Sequence, residues 1–116
     1  IIRAVNVASE ETLKTVLLEA KFFDAILADS HVSGKYGGTG ITHDWDLSRK
    51  LREIIRPKPL ILAGGLRPEN VREAILSVRP FAVDVSTGVE KQPGVKDRDK
   101  IISFIREVRR AELCLN

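Results

Sequence analysis

The strongest constraint on the fold is a fourfold alternation between short apolar runs and amphipathic segments with helical spacing. The apolar runs predict strands over residues 1–7, 23–28, 60–63 and 81–85. After each run, apolar residues recur every three or four positions, which indicates a helix. Apolar strands separated by helices predict a parallel sheet, covered by helices on at least one face and joined by right-handed connections.

Each amphipathic segment has a residue suited to helix initiation near its start: Ser9, Asp44, Pro68 and Asp97. The predicted buried stripes are Leu13, Val16, Leu17 and Ala20; Leu47, Leu51, Ile54 and Ile55; Val71, Ala74, Ile75 and Val78; and Ile101, Ile102, Phe104, Ile105 and Val108. No linker-like segment interrupts the pattern. The sequence therefore predicts a single domain over residues 1–116, built from four strand–helix units.

Such units form either an open doubly wound sheet or part of a closed barrel. Doubly wound nucleotide-binding folds usually carry a glycine-rich turn after their first strand. The segment 6–9 (Asn-Val-Ala-Ser) has no glycine, whereas glycine turns follow the last two predicted strands. Barrel enzymes often bind phosphate at that position, so the pattern favours a barrel.

Composition excludes several other classes of protein. The 19 basic residues are interleaved with 16 acidic ones, so the net charge of +3 does not favour nucleic acid and is compatible with small anions. No apolar stretch is long enough to span a membrane, and no signal-peptide pattern opens the chain. The single cysteine, Cys114, rules out an internal disulfide and fits a cytoplasmic location.

The chain begins within its first predicted strand, at Ile1, and contains no methionine. A natural translation product normally starts with methionine and a lead-in. We therefore expect the sequence to be a fragment of a longer polypeptide.

Two glycine-containing turns stand directly between a predicted strand and the next helix. Gly64-Gly65-Leu66 follows the third strand, and Ser86-Thr87-Gly88 follows the fourth and adds two hydroxyl donors. Glycine lets the backbone approach an anion closely, and a helix N-terminus directs unpaired N–H groups at it. Either turn alone is equally well explained by backbone geometry. The adjacent pair favours a phosphate site.

Two aspartates end or follow predicted strands, where catalytic groups of such folds collect. Asp29 follows the second strand, and Asp84 lies within the fourth. A carboxyl group at an apolar strand end can serve as a general acid. The alternatives are a loop-capping carboxylate for Asp29 and binding of glycine-loop N–H groups for Asp84. Asp29 is the better candidate acid.

The remaining motifs point to weaker possibilities. The glycine-rich segment 37–40 lacks the spacing of a nucleotide-binding loop and is more typical of a segment that covers a ligand. His31 and His43 do not fit a zinc-binding pattern, so no metal is expected. Cys114, in the C-terminal tail, is a poor candidate nucleophile.

Several segments match one known family in order and spacing: Asp29; residues 36–40 with Asp44-Trp45; residues 62–71; residues 83–90; and residues 93–97. Together they resemble phosphoribosylanthranilate isomerase over roughly residues 1–108. That family is a single-domain (β/α)8 barrel of tryptophan biosynthesis. The resemblance implies that the chain corresponds to the C-terminal half of the barrel, strands five to eight.

The resemblance also implies an activity and a role for each site residue. The family converts N-(5-phosphoribosyl)anthranilate to its 1-deoxyribulose phosphate isomer by an Amadori rearrangement. Asp29 would be the general acid that protonates the ribose ring oxygen. The substrate phosphate would bind Gly64, Gly65, Ser86, Thr87 and Gly88, with Asp84 lining the site beneath them. No cofactor or metal is implied.

One departure from the family has consequences for activity. The family's catalytic base is a cysteine in a Lys-Ile-Cys-Gly segment on the first barrel strand, and an arginine of the N-terminal half recognises the anthranilate carboxylate. Neither has a counterpart here. We therefore expect the isolated chain to bind phosphate weakly and turn over poorly. An open half-barrel would also associate with the missing N-terminal half or with a second copy.

Two alternatives remain at the level of sequence. The first is another sugar-phosphate barrel isomerase or synthase, which would share the paired glycine loops. The second is a non-catalytic half-barrel that binds phosphate or acts in assembly, which the missing base favours.

Overall fold

A computed structural model of the protein describes residues 1–30 and 45–115. Its strands are β1 (Ile2–Asn6), β2 (Ala25–Asp29), β3 (Leu60–Ala63), β4 (Ala82–Val83), β5 (Glu90–Gln92) and β6 (Val95–Lys96). Its helices are α1 (Glu10–Leu18), α2 (Trp45–Ile55), α3 (Val71–Val78) and α4 (Arg98–Leu115), with short 3₁₀ turns at Ala20–Phe22 and Thr87–Val89.

The first four strands form one parallel sheet in sequence order, β1-β2-β3-β4. This arrangement confirms the predicted α/β class with four parallel strands. The register places Val5, Ala28, Leu62 and Val83 in one row across the sheet. Because neighbouring strands are also consecutive in the chain, their carboxyl ends and following loops lie side by side.

One face of the sheet packs against the helices and contains the core. Ile26 and Ala28 of β2 and Leu60 and Leu62 of β3 are buried in a cluster with residues of all four helices. The helices α1, α2, α3 and α4 pack on one another in chain order. Each Å² of apolar surface removed from water contributes about 25 cal/mol to stability. Because the buried apolar residues cluster on this face, we expect it to provide most of the stabilisation.

The opposite face of the sheet is less covered. Ala4, Leu27, Ile61 and Ala82 form a row on that face; Ala4 is exposed and the other three are half-buried. Half-buried aliphatic residues in the centre of a parallel sheet are unusual, because such sheets are normally covered on both faces.

The predicted helix stripes are confirmed for α3 and only in part for the others. All four predicted residues of α3 are buried. Leu17, Ile54, Ile102 and Ile105 are exposed in spite of their helical spacing. Ile105 borders an apolar groove of about 350 Å³ along α4, lined by Val83, Val85, Val89, Ile101, Phe104, Ile105 and Val108.

The predicted helix starts have mixed outcomes. Asp97 caps α4 through its Oδ1, which accepts from the Lys100 N–H at 3.1 Å. Ser9 occupies the N-cap position of α1 but makes no side-chain cap bond. Pro68 lies in a turn before α3, which begins three residues later than predicted, at Val71. Asp44 lies outside the described residues.

Within residues 1–30 and 45–115, no helix combines the length and apolar character needed to cross a membrane.

Candidate functional site

The candidate site lies at the carboxyl ends of β2, β3 and β4. Asp29, the last residue of β2, is in register with Ala63 at the end of β3. The Asp84 N–H donates to the Leu62 carbonyl at 2.8 Å, which brings Asp84 to the same level just beyond β4. Asp84 was predicted to lie within the fourth strand; it follows the strand because β4 is only two residues long.

The loop after β3 has a backbone that favours glycine. Gly64 and Gly65 have φ angles of +92° and +67°, in the left-handed region that other residues rarely adopt. The Asn70 side chain links two backbone groups of this loop by hydrogen bonds. Its Oδ1 accepts from the Arg67 N–H at 2.9 Å, and its Nδ2 donates to the Gly65 carbonyl at 3.0 Å.

The loop after β4 packs directly on the loop after β3. A Cβ at Gly88 would lie 1.8 Å from the Leu66 carbonyl oxygen and 3.1 Å from the Arg67 Cα. No side chain fits there, so Gly88 is required by the close approach of the two loops. The backbones of the two turns are therefore held in contact, as convergent donors to one anion would require.

The hairpin β5–β6 supports the second loop. Lys96 Nζ donates to the Ser86 carbonyl at 2.9 Å and to Glu90 Oε2 at 3.0 Å. This hydrogen bond, with further help from the Gly94 N–H, holds the pKa of Glu90 below its ordinary value against the opposing effect of desolvation. Lys100 Nζ donates to the Glu90 carbonyl at 2.8 Å and ties the hairpin to α4.

A single cavity brings all the predicted site residues together. It has a volume of about 270 Å³ and is lined by Leu27, Asp29, Ala63, Gly64, Gly65, Leu66, Asp84, Val85, Ser86, Thr87 and Gly88. Asp29 is half-buried, and Asp84 is exposed. Among the described residues, the Asp84 carboxylate makes no hydrogen bond to a glycine-loop N–H, which was the alternative role considered for it.

The cavity pairs two kinds of chemistry. Two carboxylates, Asp29 and Asp84, line it and can exchange protons with a bound molecule. Glycine-loop backbone and the hydroxyls of Ser86 and Thr87 line the same cavity and can donate hydrogen bonds to an anion. No group of three metal-ligating side chains occurs among the described residues. The predicted covering segment 37–40, His31 and His43 lie outside the described residues.

Sequence reasoning missed two residues that shape the site, Asn70 and Lys96. The Asn70 clamp has a detectable signal, because an asparagine side chain often bonds backbone groups a few residues away. The hairpin that carries Lys96 was also detectable from the Pro93-Gly94 dipeptide, a strong turn signal. Gly94 has the positive φ (+81°) that such a turn uses.

Comparison with known proteins gives consistent results. A family described as "N-(5'phosphoribosyl)anthranilate (PRA) isomerase" matches residues 1–107. A curated relative from Methanosarcina acetivorans, N-(5'-phosphoribosyl)anthranilate isomerase, is 58% identical over 93 residues, covering 80% of this chain and 38% of the relative. The chain spans about two fifths to one half of the length of the curated relatives it matches.

Solved structures extend the similarity to the fold. Phosphoribosyl anthranilate isomerase from Thermotoga maritima superimposes with a TM-score of 0.77 at 48% identity, over 94% of this chain and 51% of that structure. A second solved phosphoribosyl anthranilate isomerase, in complex with reduced 1-(o-carboxyphenylamino)-1-deoxyribulose 5-phosphate, gives a TM-score of 0.73 at 44% identity, over 94% of this chain and 48% of its own.

Proposed function

The chain belongs to the N-(5'-phosphoribosyl)anthranilate isomerase family, and on that premise we propose that it supplies the general acid and phosphate site of such an isomerase. The reaction would convert N-(5-phosphoribosyl)anthranilate to 1-(2-carboxyphenylamino)-1-deoxyribulose 5-phosphate. The observation that carries the proposal is the single cavity shared by Asp29, Asp84 and both glycine loops. The relative in complex with a reduced form of this product supports the choice of substrate.

The phosphate of the substrate binds the two glycine loops. Gly64 and Gly65 have positive φ angles that favour glycine, and Ser86, Thr87 and Gly88 line the same cavity. A phosphate at this position accepts hydrogen bonds from backbone N–H groups and hydroxyls. Holding that end fixes the ribose ring relative to Asp29.

Asp29 is the general acid. It donates a proton to the ribose ring oxygen as the bond between that oxygen and C1 breaks, while the anilino nitrogen lone pair forms a C1=N bond. Removal of the C2 proton then gives an enolamine, which tautomerises to the 2-ketone. The position of Asp29 supports this role, because it ends β2, is half-buried and lines the same cavity as the two glycine loops.

The second step needs a base. In the family that base is a cysteine on the first barrel strand, and this chain has only Cys114, an exposed residue at the C-terminal end of α4. We therefore propose that the base comes from a partner segment, and that the chain alone is inactive or nearly so. Each half of such acid–base work contributes typically ~10²–10⁴-fold.

The partner we propose is the other half of a (β/α)8 barrel, with residues 1–116 forming one domain. Among the described residues no strand pairs with the outer edge of β1 or of β4. The face of the sheet opposite the helices is only half-covered, and a further helix would pack in the apolar groove along α4. The relatives are about twice as long as this chain. A second copy of the chain is the alternative occupant, and the cytoplasm is the expected location.

The test is isomerase activity, followed by the loss of substrate fluorescence. The chain is assayed alone and with a separately produced N-terminal half of the Methanosarcina acetivorans relative. We expect activity only in the mixture, and loss of at least ~100-fold of it in Asp29→Asn. Asp99→Asn, which removes an exposed carboxylate from the first turn of α4, is the matched control and should retain activity.

Two outcomes would contradict the proposal. Full activity of Asp29→Asn in the mixture would remove Asp29 from the acid role. A stable mixed complex that binds phosphate without turnover would favour a non-catalytic phosphate-binding module instead.

A further inference from the structure

A second cavity adjoins the one that holds the carboxylates. It has a volume of about 280 Å³ and is lined by Gly65, Leu66, Arg67, Glu69, Thr87, Gly88 and Lys100. Four of these residues line both cavities: Gly65, Leu66, Thr87 and Gly88. The paired glycine loops therefore form a shared wall, with one cavity on each side.

The two cavities differ in charge. The first is lined by two carboxylates, Asp29 and Asp84, and by no cationic side chain. The second is lined by Arg67 and Lys100 with one carboxylate, Glu69, which gives a formal charge of +1. The shared loops thus separate a negative side from a positive side.

The Lys100 charge is the less compensated of the two cations. Its Nζ donates to the neutral carbonyl of Glu90 at 2.8 Å, and no described carboxylate lies within 4 Å of it. The Arg67 Nε lies 3.4 Å from Glu69 Oε2, in a pair whose two side chains are 42% and 69% exposed. Solvent screens such an exposed pair, so Glu69 only partly cancels Arg67.

A sugar phosphate carries between one and two negative charges near neutral pH. In the cavity lined by Asp29, the phosphate would meet two carboxylates. In the cavity lined by Arg67, it would meet two cations and one carboxylate. We propose that Arg67 and Lys100 are specificity-determining residues, which attract the phosphate from the outer side of the loops and so direct the sugar ring toward Asp29. This inference rests on the proposed function, because it assumes that the loops bind the substrate phosphate.

The proposal predicts opposite effects from neighbouring substitutions. Arg67→Gln and Lys100→Gln should weaken phosphate binding, since each removes a positive charge beside the loops. Glu69→Gln should strengthen it, because it frees the Arg67 charge. If the substitutions acted only by disturbing the structure of the glycine loops, all three variants would bind phosphate more weakly.

The test is a titration of the ¹⁵N-labelled full-length chain with inorganic phosphate, followed by the amide signals of Gly65 and Gly88. At about 10 mM salt we expect a Kd ~5-fold weaker for Arg67→Gln and for Lys100→Gln, and ~2- to 3-fold tighter for Glu69→Gln. At 0.15 M salt these differences should shrink to about 2-fold or less, because the Debye length falls to about 8 Å.

Two controls separate charge from structure. Lys100→Arg keeps the charge and should bind within about 2-fold of the unsubstituted chain, even if the bond to Glu90 changes. Arg98→Gln removes an exposed cation from the same helix turn, outside both cavities; it should weaken binding less than Lys100→Gln does at about 10 mM salt and by no more than about 1.5-fold at 0.15 M salt.

The outcomes distinguish this inference from the proposed function. Phosphate binding that is equal in the unsubstituted chain and in Arg67→Gln, Lys100→Gln and Glu69→Gln would overturn the inference and leave the phosphate site intact. Weaker binding in Glu69→Gln would also overturn it. An absence of phosphate-induced shifts at Gly65 and Gly88 in the unsubstituted chain would overturn both.

Discussion

The two glycine loops line one cavity but are held in place by different contacts. The loop after β3 is held largely by itself, through two glycines of positive φ and the Asn70 side chain five residues further on. The loop after β4 depends on neighbours. Gly88 packs on the Leu66 carbonyl, and Lys96 of the β5–β6 hairpin donates a hydrogen bond to the Ser86 carbonyl.

The difference shows where each loop is vulnerable. The first loop is encoded locally, so a damaging substitution should lie within its own residues. The second loop is positioned by contacts from outside, so it should respond to changes in the first loop and in β5–β6. The four predictions below test this contrast.

Gly88→Ala should have the largest effect. A Cβ placed 1.8 Å from a backbone oxygen forces the loops apart, and we expect a loss of about 2–4 kcal/mol in the free energy of unfolding. Phosphate binding should be lost with it. The comparison variant is Gly94→Ala, where φ is positive (+81°), unlike at Gly88, and nothing lies within 4 Å of the new Cβ.

Chemical denaturation measures both variants. Gly94→Ala should cost only the backbone strain, about 1 kcal/mol. A loss in Gly88→Ala no larger than that in Gly94→Ala would show that the close approach of the two loops does not restrict position 88 to glycine.

Asn70→Ala should rank second. It leaves the Arg67 N–H and the Gly65 carbonyl without their partner in a half-buried loop, which typically costs about 1–3 kcal/mol. Asn70→Asp keeps the acceptor and loses the donor, so it should retain part of this stability. Denaturation midpoints of both variants measure the effect, and an undiminished Asn70→Ala midpoint would contradict local support of this loop.

Lys96→Met should cost less, about 0.5–1.5 kcal/mol, because Lys96 is half exposed and water can replace it at the Ser86 carbonyl. Its effect should concentrate on the second loop. Amide hydrogen exchange should accelerate at 86–89 and remain unchanged at 64–67. Lys91→Met, on the exposed side of the same hairpin, is the control.

Lowering the pH should produce the smallest change in the free energy of unfolding. The pKa of Glu90 is lowered in the folded chain, chiefly by the Lys96 hydrogen bond, so its carboxylate stabilises the fold above the unfolded pKa. That contribution should be lost as the pH falls from about 5 through the folded pKa. The stability difference between the chain and Glu90→Gln should therefore shrink in acid. Glu112→Gln, an exposed substitution, should show no such trend.

The sequence predicted the four parallel strands, because continuous apolar runs are a strong local pattern. The predicted site residues line one cavity, because parallel strands that are consecutive in the chain end together. Asp29 ends β2, whereas Asp84 lies just beyond β4 and not within it, since that strand is only two residues long.

Other features depended on information that spacing does not contain. Ile102 and Ile105 follow helical periodicity, yet they are exposed because no described element covers that face of α4. The charge difference between the two cavities was also not predicted. It arises because the fold brings Arg67 and Lys100, which are far apart in sequence, to the lining of one cavity. The β5–β6 hairpin, by contrast, could have been predicted, because the Pro93-Gly94 dipeptide is a strong turn signal.

The sequential strand order also affects how the molecule folds. Ile2 pairs with Ala25, Ile26 with Leu60 and Ile61 with Ala82, so strand partners are 23, 34 and 21 residues apart. Each pairing therefore closes one strand–helix–strand connection, and the entropy of closing it grows only slowly with loop length. The two glycine loops follow β3 and β4, so they are synthesised after Asp29 at the end of β2. During synthesis, therefore, β1 and β2 can pair before the two loops form beside Asp29.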